Sequence, residues 1–255
     1  MSAIVAIANQ KGGVGKTTTA VNLARALSVP PHSKKVCLLD LDPQGHASHH
    51  IDMRDQAKRP PIYRLLIEGA SLEEVVQKTK YGFDLVAGGT QNAKSEKGMD
   101  DDDTIETLGK VLRAAGDAYD VVLLDCPPSL GSLLVCALAA ATFVLVPMPL
   151  AEWSVDGLEQ LMVKITRTQK YFNPEVRIGA ILATNTNRRT RLARLLGEAL
   201  ERSVGKVLLS STIRVNQPLG DAQHERMPVL DWDPKSNGAA DYGMVAAELV
   251  ERGLV

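Results

Sequence analysis

Short apolar runs alternate with amphipathic stretches along most of the chain, and the two periods predict alternating strands and helices. Ala3 to Ala8 is an unbroken apolar run, the pattern of an interior strand buried on both faces. A helical pattern follows from about Gly15 to Leu27, with Val21, Leu23, Ala24 and Leu27 spaced to pack together. Val36–Leu41 reads as a second strand that ends in an acidic cluster. Tyr63 to Lys78 predicts two short helices, with Gly69 as a stop and Ser71 as an N-cap. Phe83–Val86 is a brief strand before a turn at Gly88 and Gly89. Leu108–Ala115 then reads as helix, Tyr119–Leu124 as strand, Leu133–Ala140 as helix and Phe143–Pro147 as strand. Asp156 to Lys170 predicts a helix, Arg177–Ala183 a strand and Arg189 to Arg202 a basic amphipathic helix. Val207–Ser210 is a last short strand, and Ala239–Glu251 a closing helix. No internal repeat or linker-like composition interrupts the series. The expected fold is therefore α/β, one domain over residues 1–255 with a mostly parallel central sheet flanked by helices on both sides. Ligands of such sheets lie beyond the carboxyl ends of the strands.

Composition narrows the function classes. At 255 residues, with 45% hydrophobic and 23% charged, the chain has ample material for a core and is no disordered polymer. Cys37, Cys126 and Cys136 form no CxxC pair, which excludes a disulfide scaffold and a cysteine-rich zinc site. The apolar stretch from Val121 to Leu150 is broken by Asp125, Pro127, Pro128 and Gly131, so it reads as strand, turn, helix and strand rather than a membrane span. The opening MSAIVAIANQKGG lacks the basic region of a secretory signal, and a cytoplasmic protein is expected. The net charge of -1 argues against a general polyanion binder, so nucleic-acid binding requires a local patch. Residues 188–202 supply one: five arginines against two glutamates leave an excess of +3. The polar stretch 91–103 ends in Asp100 to Asp103, which suits a solvated loop and helix N-terminus or an acidic partner-binding loop.

The chemistry concentrates at the ends of predicted strands. Gln10-Lys11-Gly12-Gly13-Val14-Gly15-Lys16-Thr17-Thr18 joins the first strand to the first helix. Glycines there let successive amides converge on phosphate oxygens, and the helix N-terminus adds its dipole. Lys16 is placed to reach the β- and γ-phosphates, and the Thr17 hydroxyl to face Mg²⁺. Gln10 stands where the usual phosphate loop has its first glycine. Lys11 is either a surface lysine near anionic phosphates or a cation that caps phosphates in a facing subunit. Asp40 and Asp42 close LLDLDPQG, and Asp125 closes VVLLD. Asp125 suits Mg²⁺ or its water, Asp42 an attacking water, and Asp40 outer contacts to Mg²⁺ and the switch region; Lys11 and Lys16 compensate developing charge. His46, His49 and His50 read as a polar loop rather than a transition-metal site, Cys126 as a small buried residue, and Trp153 and Trp232 as packing or interface residues.

On KGGVGKTTT at Lys11–Thr19, LDLDPQG at Leu39–Gly45, VVLLDCPPSL at Val121–Leu130 and DPKSNGAADY at Asp233–Tyr242, the chain resembles the ParA family of partition ATPases, in the deviant Walker A group of P-loop proteins that includes MinD. The resemblance spans essentially the full length and fits the small members without an N-terminal helix-turn-helix. It implies bound ATP and Mg²⁺, with Lys11, Gly12, Gly13, Val14, Gly15, Lys16, Thr17 and Thr18 around the phosphates and Thr17, Asp40 and Asp125 toward the metal. It implies an ATP sandwich homodimer in which Lys11 crosses to the partner's nucleotide, with Lys11, Lys16 and Asp42 catalytic. It further implies nonspecific double-stranded DNA binding, a nucleoid location, and hydrolysis stimulated by a ParB-like or other adaptor that links the ATPase to a plasmid, chromosomal origin or protein cargo. One departure stands out. Where small members carry I-P-R-N-V-R-L, this chain has Ile213-Arg214-Val215-Asn216-Gln217-Pro218-Leu219, so Val215 and Pro218 replace two arginines that contact DNA. The expected DNA contacts are Arg188, Arg189, Arg191 and Arg214. A MinD-like membrane switch would need a basic amphipathic end, whereas MVAAELVERGLV carries Glu248, Glu251 and Arg252. A metabolic phosphotransferase or ligase would need an acceptor-binding insertion, and none is evident.

Overall fold

A computed structural model describes residues 2–53, 61–89, 102–150, 155–186 and 191–255, with side chains at 102, 155–157, 191–194 and 196 outside that description. Expectations for residues 91–101, Trp153, Arg188 and Arg189 therefore lie outside the described residues. The strands are β1 (Ala3–Ile7), β2 (Val36–Asp40), β3 (Gln77–Lys78), β4 (Asp84–Val86), β5 (Val121–Asp125), β6 (Phe143–Pro149), β7 (Ile178–Thr186) and β8 (Leu208–Arg214). They form one sheet in the order β3-β4-β2-β5-β1-β6-β7-β8. Every pairing is parallel except β3 with β4, so the expected mostly parallel sheet is present.

Helices cover both faces. They are α1 (Lys16–Ser28), α2 (His46–His50), α3 (Pro61–Ile67), α4 (Leu72–Val75), α5 (Asp102–Ala114) and α6 (Ser132–Ala140), followed by α7 (Val155–Tyr171), α8 (Arg191–Val204), α9 (Gln217–His224), α10 (Val229–Trp232) and α11 (Asn237–Glu251). Alternate residues of β1 enter opposite cores: Ile4 and Ala6 pack with Leu108, Leu133 and Ile165, whereas Val5 and Ile7 pack with Leu23, Leu27 and Tyr242. This two-sided burial is why the strands read as continuous apolar runs. Ser71 caps α4 in a reciprocal capping box with Glu74, as its place before the acidic pair suggests.

Several predicted elements differ in type or extent, among them Gln77–Lys78, expected as the end of a helix and found as the edge strand β3. β6 continues through Pro147 to Pro149, beyond Leu145, where its pairing with β1 stops. A residue without N–H fits a stretch that has a strand on one side only. His46–His50, expected as loop, is a short helix, and the segment after β8 forms α9 and α10. Asn216 at the N-cap of α9 and Pro218 in its first turn are a start signal legible in the sequence. Among the described residues no helix is long and apolar enough to cross a membrane.

Candidate nucleotide site

The register of the central strands assembles the site. Ile7 pairs with Asp125 and Asp40 pairs with Asp125, so the carboxyl ends of β1, β5 and β2 lie side by side. The loop that leaves β1 passes over them. Asn9 anchors its start: its amide nitrogen donates to the Pro147 carbonyl at 2.8 Å, and its oxygen accepts from the Lys11 N–H at 3.0 Å. The Thr184 hydroxyl on β7 donates to the Val14 carbonyl at 3.0 Å and pins the far side. Gly13 and Gly15 adopt φ of 74° and 94°, left-handed values that a side chain would strain. Space beyond Gly12 and Gly13 is open, and α1 begins without a side-chain cap, so its first amides face the hollow of the loop. Open glycine backbone over an uncapped helix N-terminus is an anion cradle.

Beneath the loop, charge is out of balance. Lys16 is buried and donates from Nζ to the Lys11 carbonyl at 3.0 Å. Burial lowers its pKa, and Asp125, Cys126 and Asp42 oppose that shift. Asp125 is fully buried; one carboxylate oxygen accepts from the Thr17 hydroxyl at 2.8 Å, and the other has no partner among the described residues. Its pKa is pushed well up by burial first, then by the charge of Asp40, with Asp42 adding to it. Asp40 is raised to about 6, again chiefly by burial. Two buried carboxylates, Asp125 and Asp42, therefore act on the one buried ammonium, with Asp40 behind them. An orphaned carboxylate oxygen beside a threonine hydroxyl is a hard-oxygen donor set that fits Mg²⁺. Thr17 and Asp125 are the residues that would hold the ion or its water shell; bound there, the ion supplies charge compensation for phosphate oxygens.

Asp40, expected to make outer contacts to Mg²⁺, is held by protein donors. One of its oxygens accepts from the Ser48 N–H at 2.8 Å and the Ser48 hydroxyl at 2.6 Å; the other accepts from the Asp42 N–H at 3.2 Å. Asp40 is thus committed to protein donors. Asp42 accepts from the Gln44 N–H at 2.8 Å and stands 3.1 Å from Nδ1 of His46. Cys126 is fully buried and its thiol is pushed far up by burial, so it is no nucleophile at neutral pH.

Arg214, expected to contact DNA, is paired within the protein. Its guanidinium forms a bidentate pair with the buried Asp241, and its N–H donates to the same carboxylate at 2.9 Å. The pair fixes this guanidinium against α11 while leaving it partly exposed. Arg191 lies in the first turn of α8, its side chain outside the described set. The C-terminal motif gains a structural meaning here. Ser236 caps α11, Asp241 holds β8, and the Tyr242 hydroxyl meets that of Thr19 on α1 at 3.2 Å. Beside the glycine loop opens a cavity of about 370 Å³ lined by Gly13, Thr18, Pro149, Asn216, Leu219 and Tyr242 among others. A larger hollow of about 1390 Å³ lies between α8 and β8. Several α8 side chains are outside the described set, and the smaller cavity is the one that adjoins the glycine loop.

Sequence reasoning missed Asn9, Ser48, Gly88 and Thr184, which position the loop and the aspartates. Only Gly88 left a signal, as part of a glycine pair after a strand. A family model described as an AAA domain matches residues 2–178. The sporulation initiation inhibitor protein Soj of Bacillus subtilis is 32% identical over 255 residues, covering 99% of this chain and 100% of that one. The chromosome-partitioning ATPase Soj of Thermus thermophilus is 37% identical over 252 residues, covering 97% of this chain and 95% of that one. A Mycobacterium smegmatis structure described as cobyrinic acid a,c-diamide synthase with bound ATP analog and magnesium aligns with a TM-score of 0.83 at 28% identity, covering 99% of this chain and 96% of that one. With the phosphate loop, the two acidic strand ends and full-length identity agreeing, the chain belongs to the ParA family of P-loop partitioning ATPases.

Proposed function

We propose that the protein is a Mg²⁺-dependent ATPase that dimerises on ATP, binds double-stranded DNA without sequence preference, and positions a plasmid, chromosomal origin or protein cargo. A ParB-like or other adaptor stimulates its hydrolysis, and the ATP-bound dimer associates with the nucleoid. The observation that carries the nucleotide part is the Thr17–Asp125 pair, with its orphaned oxygen, under an open glycine loop. The triphosphate occupies the loop, Lys16 turns to it, and the base takes the adjoining cavity of about 370 Å³. Lys11 acts on the nucleotide of a facing subunit. DNA contact rests on the stretch 188–202, with Arg188, Arg189 and Arg191.

The membrane-switch reading loses support at α11. Glu248 accepts from the Ser210 and Ser211 N–H groups, Arg252 donates to the Lys206 and Leu208 carbonyls, and Tyr242, Val245 and Leu249 are buried. The apolar face of that helix is buried against the sheet and α1. The test compares cosedimentation with duplex DNA in Mg-ATP, in Mg-ADP and in ATP with a chelator, alongside liposome flotation and phosphate release without any small-molecule acceptor. DNA binding confined to Mg-ATP, no flotation, and acceptor-independent turnover are expected. Flotation with ATP, or turnover only with an acceptor, sinks the proposal in favour of the membrane or ligase class.

A further inference from the structure

Asp42 is just past the end of β2, and nothing periodic holds it. What fixes its loop is a chain of hydrogen bonds from the other side of the turn. The Gly88 N–H donates to the Ser48 hydroxyl at 3.1 Å, the hydroxyl donates to Asp40 at 2.6 Å, and Asp40 accepts from the Asp42 N–H at 3.2 Å. Ser48, Asp40 and Asp42 are all buried, so each bond is made away from competing water. Gly88 is required for the approach: a Cβ there would lie 2.5 Å from the Asp40 carbonyl oxygen and 2.9 Å from its carboxyl carbon. Ser48 also sits in the middle of α2, whose first residue, His46, faces the Asp42 carboxylate. One serine therefore secures both the amide side and the carboxylate side of Asp42.

We propose that Ser48 is a positioning residue for hydrolysis, which, clamped between Gly88 and Asp40, holds Asp42 where it can orient the attacking water. The proposal rests on the reading of Asp42 as the water-holding group. Ser48 acts through Asp40. Its loss leaves the phosphate cradle, built from Asn9, Lys16 and Thr184, untouched, and lets the 40–46 loop relax. Small misplacements of a catalytic group cost rate far more than affinity.

The experiment is a double-mutant cycle on Ser48 and Asp42, read by steady-state ATPase and by ATP titration calorimetry. Ser48→Ala should lose about tenfold or more in kcat while KM and ATP affinity stay within about twofold. Ser48→Thr, which keeps the hydroxyl, should recover most of that rate. Adding Ser48→Ala to Asp42→Ala should change the residual rate by less than about twofold, because the two act in series. A parent kcat in Ser48→Ala, or losses that multiply in the double variant, overturns the relay. Full turnover in Asp42→Ala overturns the reading of Asp42 and the relay with it, whereas a dead Asp42→Ala beside a normal Ser48→Ala removes the relay alone. Should Ser48→Ala fail to fold by circular dichroism, Asp40→Asn carries the same test. It keeps an acceptor for the Asp42 N–H but sets an amide donor against the Ser48 N–H and turns the Ser48 hydroxyl into an acceptor, so a kcat-only loss is expected and a normal rate is refutation.

Discussion

Lys16 is a buried cation that serves two masters, the carboxylates beneath it and the anion cradle above. Burial already destabilises its charged form, and the Asp125 and Asp42 carboxylates oppose that. Removing the ammonium therefore strips the cradle of its main cation and leaves buried carboxylates uncompensated. Lys16→Ala should weaken ATP binding on the order of 100-fold in calorimetry, the worth of a lost charge-assisted contact to phosphate. Affinity near the parent's would mean that the triphosphate binds elsewhere. Asp42 predicts the opposite split. It contributes no donor to the cradle, so Asp42→Ala should bind ATP within about threefold of the parent while single-turnover hydrolysis falls on the order of 100-fold or more. Undiminished turnover would place the water under another residue's control.

At the scale of elements, α2 carries a testable oddity in His50. The ring is buried against the segment that leads into α10; it lies near the Met227 carbonyl, yet neither nitrogen reaches hydrogen-bond geometry with a partner among the described residues. Burial, with the neighbouring His49 adding to it, lowers its pKa from 6.5 to about 4. The unfolded chain thus takes up a proton that the folded chain refuses, and stability is lost as pH falls from about 6.5 toward about 4. Asp40 works the other way, because a folded pKa of about 6 favours the folded state as pH falls through that value. Comparison with a variant isolates the histidine. His50→Leu, unchanged in its carboxylates, should gain about 2.5 kcal/mol on the parent between pH 7 and pH 4.5 in urea unfolding. An offset that stays constant with pH would show that His50 is not held neutral by the fold. The sequence made the buried parallel strands, α1 and the phosphate loop legible, because these are local patterns, but it read Gln77–Lys78, the antiparallel edge strand β3, as helix. It left α2 and the true engagement of Asp40 and Arg214 unread. Ser48 meets Asp40 eight residues away across a turn, Gly88 meets Ser48 forty residues on, and Asp241 meets Arg214 from another helix. No periodicity encodes such pairings.

For the whole molecule, the open face above β1, β5 and β2 is the surface on which a second copy would have to close. Lys11 stands on its rim, exposed, with its amide fixed by Asn9 and its carbonyl engaged by Lys16, so its backbone is held by both sides of the loop. Two triphosphates brought together across that face concentrate negative charge, and a partly desolvated cation between them is costly to remove. Lys11→Ala should therefore abolish the dimer that Mg-ATP induces, and with it stimulated hydrolysis and DNA binding, while the monomer still binds nucleotide through Lys16 and the loop amides. In the proposed function the arginine stretch 188–202 depends on the same step. With a net charge of -1 on the chain, the proposed DNA binding requires that two copies present the +3 stretch together. Arg189→Ala should accordingly lower affinity for any duplex and flatten its salt dependence, with dimerisation intact, whereas Lys11→Ala should lose DNA binding at every salt concentration. Light scattering in Mg-ATP separates the two. A Lys11→Ala variant that still dimerises with parental affinity means that Lys11 is a solvated surface lysine and that the cation between the subunits is some other residue.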